Sequence, residues 1–365
     1  MNLLCQLFAR PAIARDWGAG QWNTFLPLAR SARLLGRSLY LFEHNDLIDV
    51  VPGRLLDQLR GAVAQTRYVQ GQALRELRHV ARALGGAGIP LIALKGGAYL
   101  VAGLPSAQWR NLSDIDVLVP AKDIDAAERV LKQAHWVPSG DFDEYDRHYY
   151  RDWMHEVPPL KYPGREMEVD IHHNLSPPVS RIRIDAERLW ADASMIEGPG
   201  GTHIGVLAPV DLLLHNAVHL FMNDELRGGL RDVVDFRDLY GHFFAADPAF
   251  GRLLCERARA LGCGRPLYYA LTTAQRLLAL QVSPEVIADV EKHAPAAPVA
   301  RLMHRLIAEV LAPRQPAKDN WIAGQLLYIR SHWVRMPAGM LFRHLTHKYF
   351  KQKRTDEVSA QDLPG

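Results

Sequence analysis

Residues 111–120 read NLSDIDVLVP, and they place two carboxylates, Asp114 and Asp116, two positions apart inside an apolar run. Successive side chains on a β-strand point to opposite faces, so these two acids share one face and Ile115 and Val117 share the other. Branched apolar residues at that spacing suit a buried strand. Two acids on one face of a buried strand are costly to desolvate unless something positive neutralises them. A divalent cation does this well. Carboxylate oxygens suit Mg²⁺, which keeps several waters and takes its remaining ligands from substrate phosphates.

The flanking sequence extends the pattern. Residues 89–94 (IPLIAL) read as a short strand that ends in Lys95-Gly96-Gly97, and an apolar helical run follows over 98–101. Paired glycines between a strand and a helix form a phosphate cradle, because the backbone can come close and the first helical N–H groups favour anions. Lys95 adds a point charge. Neither GxxxxGK[ST] nor GxGxxG is present. Downstream, residues 165–173 (REMEVDIHH) alternate in strand fashion, with Glu168, Asp170 and His172 on one face. Asp170 is the natural third carboxylate and Glu168 its rival on the same face; His172 is a partner beside it. Three acids from two adjacent strands can hold two Mg²⁺ ions about 3.5–4 Å apart, clamping the attacking and leaving oxygens of an in-line displacement.

A glycine pair after a strand, then D-x-D, then a lone acid on a later strand resembles the nucleotidyltransferase superfamily with the DNA polymerase β-like catalytic fold. Gly96-Gly97, Asp114-Ile115-Asp116 and Asp170 carry that resemblance. The chain is most similar to the bacterial group of uncharacterised nucleotidyltransferases, through GIPLIALKGGA, SDIDVLV, VDIHH and a later pattern of His215, His219, Arg231 and Asp232. The resemblance implies an α+β fold, a polymerase β-like module of mixed sheet and flanking helices between helical N- and C-terminal regions. It implies Asp114, Asp116 and Asp170 as catalytic metal ligands, and Lys95, Gly96, Gly97, Arg110, Ser113, Arg231 and Asp232 as nucleotide contacts. Mg²⁺ or Mn²⁺ is the implied cofactor, and ATP the expected NTP. Two departures stand out: Gly-Gly replaces the common Gly-Ser, and sixteen residues separate Gly97 from Asp114.

With 365 residues, 48% hydrophobic and 23% charged, the chain can bury a sizeable core in an ordinary globular fold. A formal charge of only +3 gives no nucleic-acid signature. Cys5, Cys255 and Cys263 lack metal-ligand spacing, and the odd count reads as reduced thiols in a cytoplasmic protein. No secretory leader or membrane-length apolar run is evident. The expected organisation is a helical region 1–88, a catalytic module 89–205, a helical domain 206–354 and a disordered tail 355–365. Within it, residues 121–134 read as a helix, Trp136-Val137 opens a strand, residues 145–162 read as a strand pair near the site, and Gly198-Pro199-Gly200-Gly201 punctuates a loop.

Other constellations have plainer readings. His215 and His219 are one helical turn apart, but HNAVH lacks the glutamate of HExxH and a third ligand, so a groove-lining or core pair is expected over zinc. Arg231 with Asp235 reads either as an internal salt bridge or as part of a nucleotide-facing wall. Arg110, ahead of the D-x-D strand, reads as a triphosphate contact or a surface charge. Residues 320–354 hold seven Lys/Arg, no acid and interleaved aromatics, expected as packed helices with basic outer faces. The reading is a metal-dependent transfer of a nucleoside monophosphate from an NTP to an acceptor hydroxyl on a small molecule, peptide or protein, with a non-catalytic nucleotide-binding regulator as the rival. The sequence fixes neither the acceptor nor the oligomeric state, and a long nucleic acid is not the expected partner.

Overall fold

The computed structural model describes residues 2–143, 149–222, 226–313, 321–337 and 339–340. Its centre is a mixed seven-stranded sheet in the order β3-β4-β5-β2-β1-β7-β6. The strands are β1 (Ile92–Ala93), β2 (Asp114–Leu118), β3 (Val137–Pro138), β4 (Leu160–Lys161), β5 (Glu168–His172), β6 (Ser194–Gly198) and β7 (Thr202–Val206). β2 runs parallel to β5, and β1 parallel to β7; the other pairs are antiparallel. Helices surround this sheet on both sides in sequence, which makes the fold α+β.

The alternation in β2 and β5 explains the layering. Ile115, Val117, Val169 and Ile171 are all at most 1% exposed and belong to the main core. The long helix Gly53–Gly86 contributes two runs to that core, Leu55, Leu59 and Val63, then Ala73, Leu77, Val80 and Leu84, each spaced by three to four residues. It is also pinned by polar contacts. Its buried Glu76 accepts hydrogen bonds from Trp136 Nε1 at 2.7 Å and Arg165 Nη1 at 2.9 Å. A buried carboxylate is tolerated there because both oxygens are satisfied.

The sixteen residues between Gly97 and Asp114 are held from outside. Arg37 Nη1 donates to the carbonyls of Pro105 (2.6 Å) and Gln108 (3.2 Å), and Gln70 Nε2 to those of Ala107 (2.7 Å) and Arg110 (2.9 Å). The N-terminal helices therefore fix the loop that delivers Arg110 to the site. On the other side, helix Pro209–Met222 is buried almost all round, and its first-turn Asp211 accepts two hydrogen bonds from Arg257, both 2.8 Å.

Three expectations change. The strand expected over 89–94 is shorter, Ile92–Ala93, with flanking hydrogen bonds only from the Leu91 carbonyl and the Leu94 N–H, and Pro90 has no N–H to extend the ladder. The loop expected around 198–201 is the turn of a hairpin, β6–β7, with Gly200 and Gly201 at φ 68° and 72°. The strand pair expected over 145–162 is one helical turn, Tyr149–Trp153, followed by the two-residue β4; its aromatics favour one another, Tyr149 lying 6.0 Å from Trp153, one turn on. Residues 144–148 of that stretch lie outside the described residues, as do 341–354 of the basic C-terminal run and the tail 355–365. Residues 320 and 338 of that run also lie outside the described residues, and most of its described part is the helix Trp321–Arg335.

Candidate active site

Parallel pairing of β2 with β5 puts Asp114 opposite Glu168, Asp116 opposite Asp170 and Leu118 opposite His172. In register, partners on adjacent strands project to the same face. Asp114, Asp116 and Asp170 thus meet at one end of the sheet, and they open into a cleft of about 1190 Å³ including its solvent-facing mouth. That cleft is also lined by Lys95, Gly96, Arg110, Ser113, Arg231 and Asp232. Of the residues expected as metal ligands or nucleotide contacts, Gly97 alone does not line it, and neither does Glu168, the rival third acid.

β1 delivers Lys95. The Leu94 N–H donates to the Asp116 carbonyl at 2.9 Å, and the chain then turns through a left-handed Lys95, φ 46°, into the short helix Lys95–Val101. A non-glycine residue in that conformation costs about 1–2 kcal/mol. Its ammonium reaches Asp116 Oδ1 at 2.7 Å, a contact that offsets the strain. Gly96 serves space rather than an unusual backbone angle, as neither glycine has a positive φ. A Cβ on Gly96 would lie 2.2 Å from Arg110 Nη1, whereas one on Gly97 would meet nothing within 4 Å.

The three acids are not equivalent. Burial alone would raise the Asp116 carboxyl, but Lys95 and the hydrogen bond from His172 Nε2, 3.0 Å, hold it well below the usual range. Burial raises Asp114, with Asp116 adding to it. Burial, and then the charge of Asp116, push Asp170 up to about 8. Lys95 stays an ammonium, since Asp116 and Asp114 overcome the burial that would lower it. Among the described residues Asp170 Oδ1 is buried and has no hydrogen-bond partner. The acids therefore have a surplus of negative charge and an open ligating oxygen, and this donor set fits a divalent cation.

The opposite wall comes from helices Pro209–Met222 and Leu230–Ala246. Arg110 Nε donates to Asp235 Oδ2 at 2.6 Å, and its Nη2 lies 3.2 Å from Asp232 Oδ1. Asp235 is thus paired with Arg110, not with Arg231; Arg231 Nη1 instead donates to the Asn111 carbonyl at 3.1 Å. These contacts close the sheet end against the helical half. Arg110 is buried rather than a surface charge. His215 and His219 line the groove, as the plainer reading expected; burial, with Lys95 nearby, lowers both, His219 to about 3.

Sequence reasoning missed His155, Glu156, Arg33, Tyr99 and Arg335 as lining residues. His155 and Glu156 precede β4 in the aromatic stretch, where no spacing motif marks them. Arg335 belongs to the basic C-terminal run, yet it is 6% exposed and turned to the cleft rather than to solvent.

No curated protein sequence matches the chain. A crystal structure described as an antigenic nucleotidyltransferase-like protein from Paracoccidioides brasiliensis is similar at 15% identity, over 60% of this chain and 96% of that one, with a TM-score of 0.35. Among the described residues no helix is long and apolar enough to cross a membrane. The family model described as uncharacterised nucleotidyltransferase matches residues 18–279, which span the sheet, all three acids and the helical wall, and the chain belongs to that family.

Proposed function

We propose that this protein is a metal-dependent nucleotidyltransferase of the polymerase β-like type. The observation that carries the reading is the pairing of Asp116 with Asp170 across parallel strands, with Asp114 on the same face and an unpartnered buried oxygen on Asp170. Asp114, Asp116 and Asp170 would hold one or two Mg²⁺ or Mn²⁺ ions. Such ions supply charge neutralisation and a template for an in-line displacement at phosphorus.

The protein's own groups divide the remaining work. Lys95, Arg33, Arg231 and Arg335 turn cationic side chains into the cleft and would bind the triphosphate of an NTP, ATP by expectation. Ser113 lies beside them. Arg110 is engaged by Asp235 and Asp232 and braces the wall, while its Nη1 packs on Gly96. The acceptor hydroxyl attacks the α-phosphorus, the bond to the bridging oxygen breaks, and pyrophosphate leaves. Asp170, deprotonated once it ligates the ion, would help take the hydroxyl proton. Holding the reactants in line and stabilising the developing charge account for most of such a rate enhancement. Residues 89–205 would form the catalytic module, with 1–88 bracing its loop and 206–354 closing the cleft.

The test is pyrophosphate release by purified protein with each NTP, Mg²⁺ or Mn²⁺, and a panel of small-molecule, peptide and protein acceptors. Release that needs the divalent ion and disappears in Asp116→Asn supports the reading. Metal-dependent NTP binding without turnover across the panel would favour a nucleotide-binding regulator.

A further inference from the structure

The segment ahead of β4 holds groups that nucleotidyl transfer leaves unused. One ligating atom each from His155, Glu156 and His172 lies within 4.8 Å of the others. Their meeting is a product of backbone pairing. Glu156 and His172 are antiparallel bridge partners, Val157 N–H donates to the Ile171 carbonyl at 3.0 Å, and His173 N–H to the His155 carbonyl at 2.8 Å. Between that bridge and the Leu160–Val169 pair of β4 and β5 the register slips by one residue. A slip of this kind re-aims neighbouring side chains. It lets two consecutive residues approach one imidazole: the His155 and His172 rings are 5.2 Å apart, and Glu156 Oε2 is 3.3 Å from His172 Nδ1.

Two further observations point to a ligand. His155 is 7% exposed, and its buried Nδ1 has no hydrogen-bond partner among the described residues. His172 Nε2 lies 3.0 Å from Asp116 Oδ1, and its buried Nδ1, 3.3 Å from Glu156 Oε2, likewise has no hydrogen-bond partner among the described residues. Metal-ligating histidines use this arrangement, one ring N–H on a carboxylate and the other nitrogen on the ion.

We propose that His155, Glu156 and His172 form a second cation site, for a borderline divalent ion of the Zn²⁺ class. Two imidazoles and one carboxylate favour such ions over Mg²⁺, which prefers oxygen ligands. Three protein ligands leave a fourth position open to the cleft. The site abuts the carboxylate triad through one imidazole ring, so an ion bound there fixes the orientation of His172 and, through it, of Asp116.

The experiment uses the full chain, stripped with a chelator and then titrated with Zn²⁺ in competition with a chromophoric chelator. Co²⁺ serves as a visible-absorption probe of nitrogen ligation. The expected result is one tightly bound Zn²⁺ per chain. His155→Asn and Glu156→Gln should each lower its affinity by more than the about 10–100-fold that loss of an outer partner costs. Melting curves establish that each variant is folded; a folded His155→Asn that binds Zn²⁺ like the parent overturns the proposal. Asp170→Asn should keep the Zn²⁺ affinity while losing the Mg²⁺ response, which separates this site from the carboxylate triad. Zn²⁺ binding that survives at His155 and Glu156 variants but disappears in Asp170→Asn assigns the ion to the carboxylates instead, and absence of stoichiometric binding also refutes the site.

Discussion

Replacing Asp170 by Asn should stabilise the metal-free protein and abolish its response to Mg²⁺. Asp170 and Asp116 are register partners on adjacent strands, about 5 Å apart by ordinary strand spacing. At an effective dielectric near 20, two charges at that distance repel by about 3 kcal/mol. Burial and this repulsion raise the folded-state carboxyl to about 8. The sign follows: between its ordinary range and about 8, the folded chain holds a proton that the unfolded chain has lost, so stability falls as pH rises through that window. Asn has no proton to lose and no charge. Above about pH 8 in EDTA, Asp170→Asn should therefore be more stable by roughly 3 kcal/mol. At about 2.1 cal/mol/K per residue over 365 residues, unfolding as one unit gives about 4 °C in Tm. Below about pH 4, where the unfolded carboxyl is protonated as well, the two proteins should melt together. Saturating Mg²⁺, at about a hundred times Kd, should raise the wild-type midpoint by the equivalent of about 2.7 kcal/mol and leave the variant nearly unmoved. Calorimetry at both pH values, with and without Mg²⁺, reads all four quantities. A variant that melts lower than wild type at high pH in EDTA, or that keeps the full Mg²⁺ shift, refutes the reasoning.

The same coupling makes Mg²⁺ affinity of the wild type rise with pH up to about 8 and then level off, because binding must displace the Asp170 proton; isothermal titration should show proton release that Asp170→Asn lacks. Arg110→Met strands the fully buried Asp235 and should cost about 3–5 kcal/mol, whereas Arg110→Met with Asp235→Leu should cost clearly less than the two single changes combined, as denaturant midpoints will tell. Gly96→Ala drives a methyl into the Arg110 guanidinium and should weaken NTP binding and lower Tm, while Gly97→Ala, with open space around it and a helical backbone, should melt at or above wild type. Equal tolerance at the two glycines would place the close approach elsewhere.

The carboxylate face was legible from local pattern alone. A strict two-residue alternation in SDIDVLV and MEVDIHH decides which side chains share a face, and parallel pairing then brings the two faces together in register. Lys95 was legible because it closes the strand that pairs with β2. The glycine pair was readable only as a pair. Which of the two approaches another group depends on the return of Arg110, thirteen residues beyond Gly97, along a loop held by Arg37 and Gln70. His155 and Glu156 were invisible for a related reason. Their convergence on His172 rests on a one-residue register slip between strands, and no spacing within either segment encodes that. Of the two readings of Arg231 with Asp235, the salt bridge is not formed: helical proximity is the short-range option, while the observed partner of Asp235, Arg110, lies 125 residues away in sequence.

Stability does not account for this arrangement of charges. Asp114, Asp116 and Asp170 project from a strand pair whose other face is fully apolar, and residues such as Thr or Val there would complete a core without any desolvation cost. Lys95 adds a strained backbone at the same point. Only Asp116 is satisfied by this cluster, through Lys95 and His172, and the two remaining acids are raised by burial and by its charge. Contrast Glu76 and Asp211, buried acids away from the cleft, whose oxygens are met by arginine or tryptophan donors. The fold thus satisfies interior carboxylates elsewhere and leaves Asp114 and Asp170 under-satisfied among the described residues. Groups destabilised in that way, side by side in a cavity ringed by cations, are poised for a ligand that brings both positive charge and phosphate.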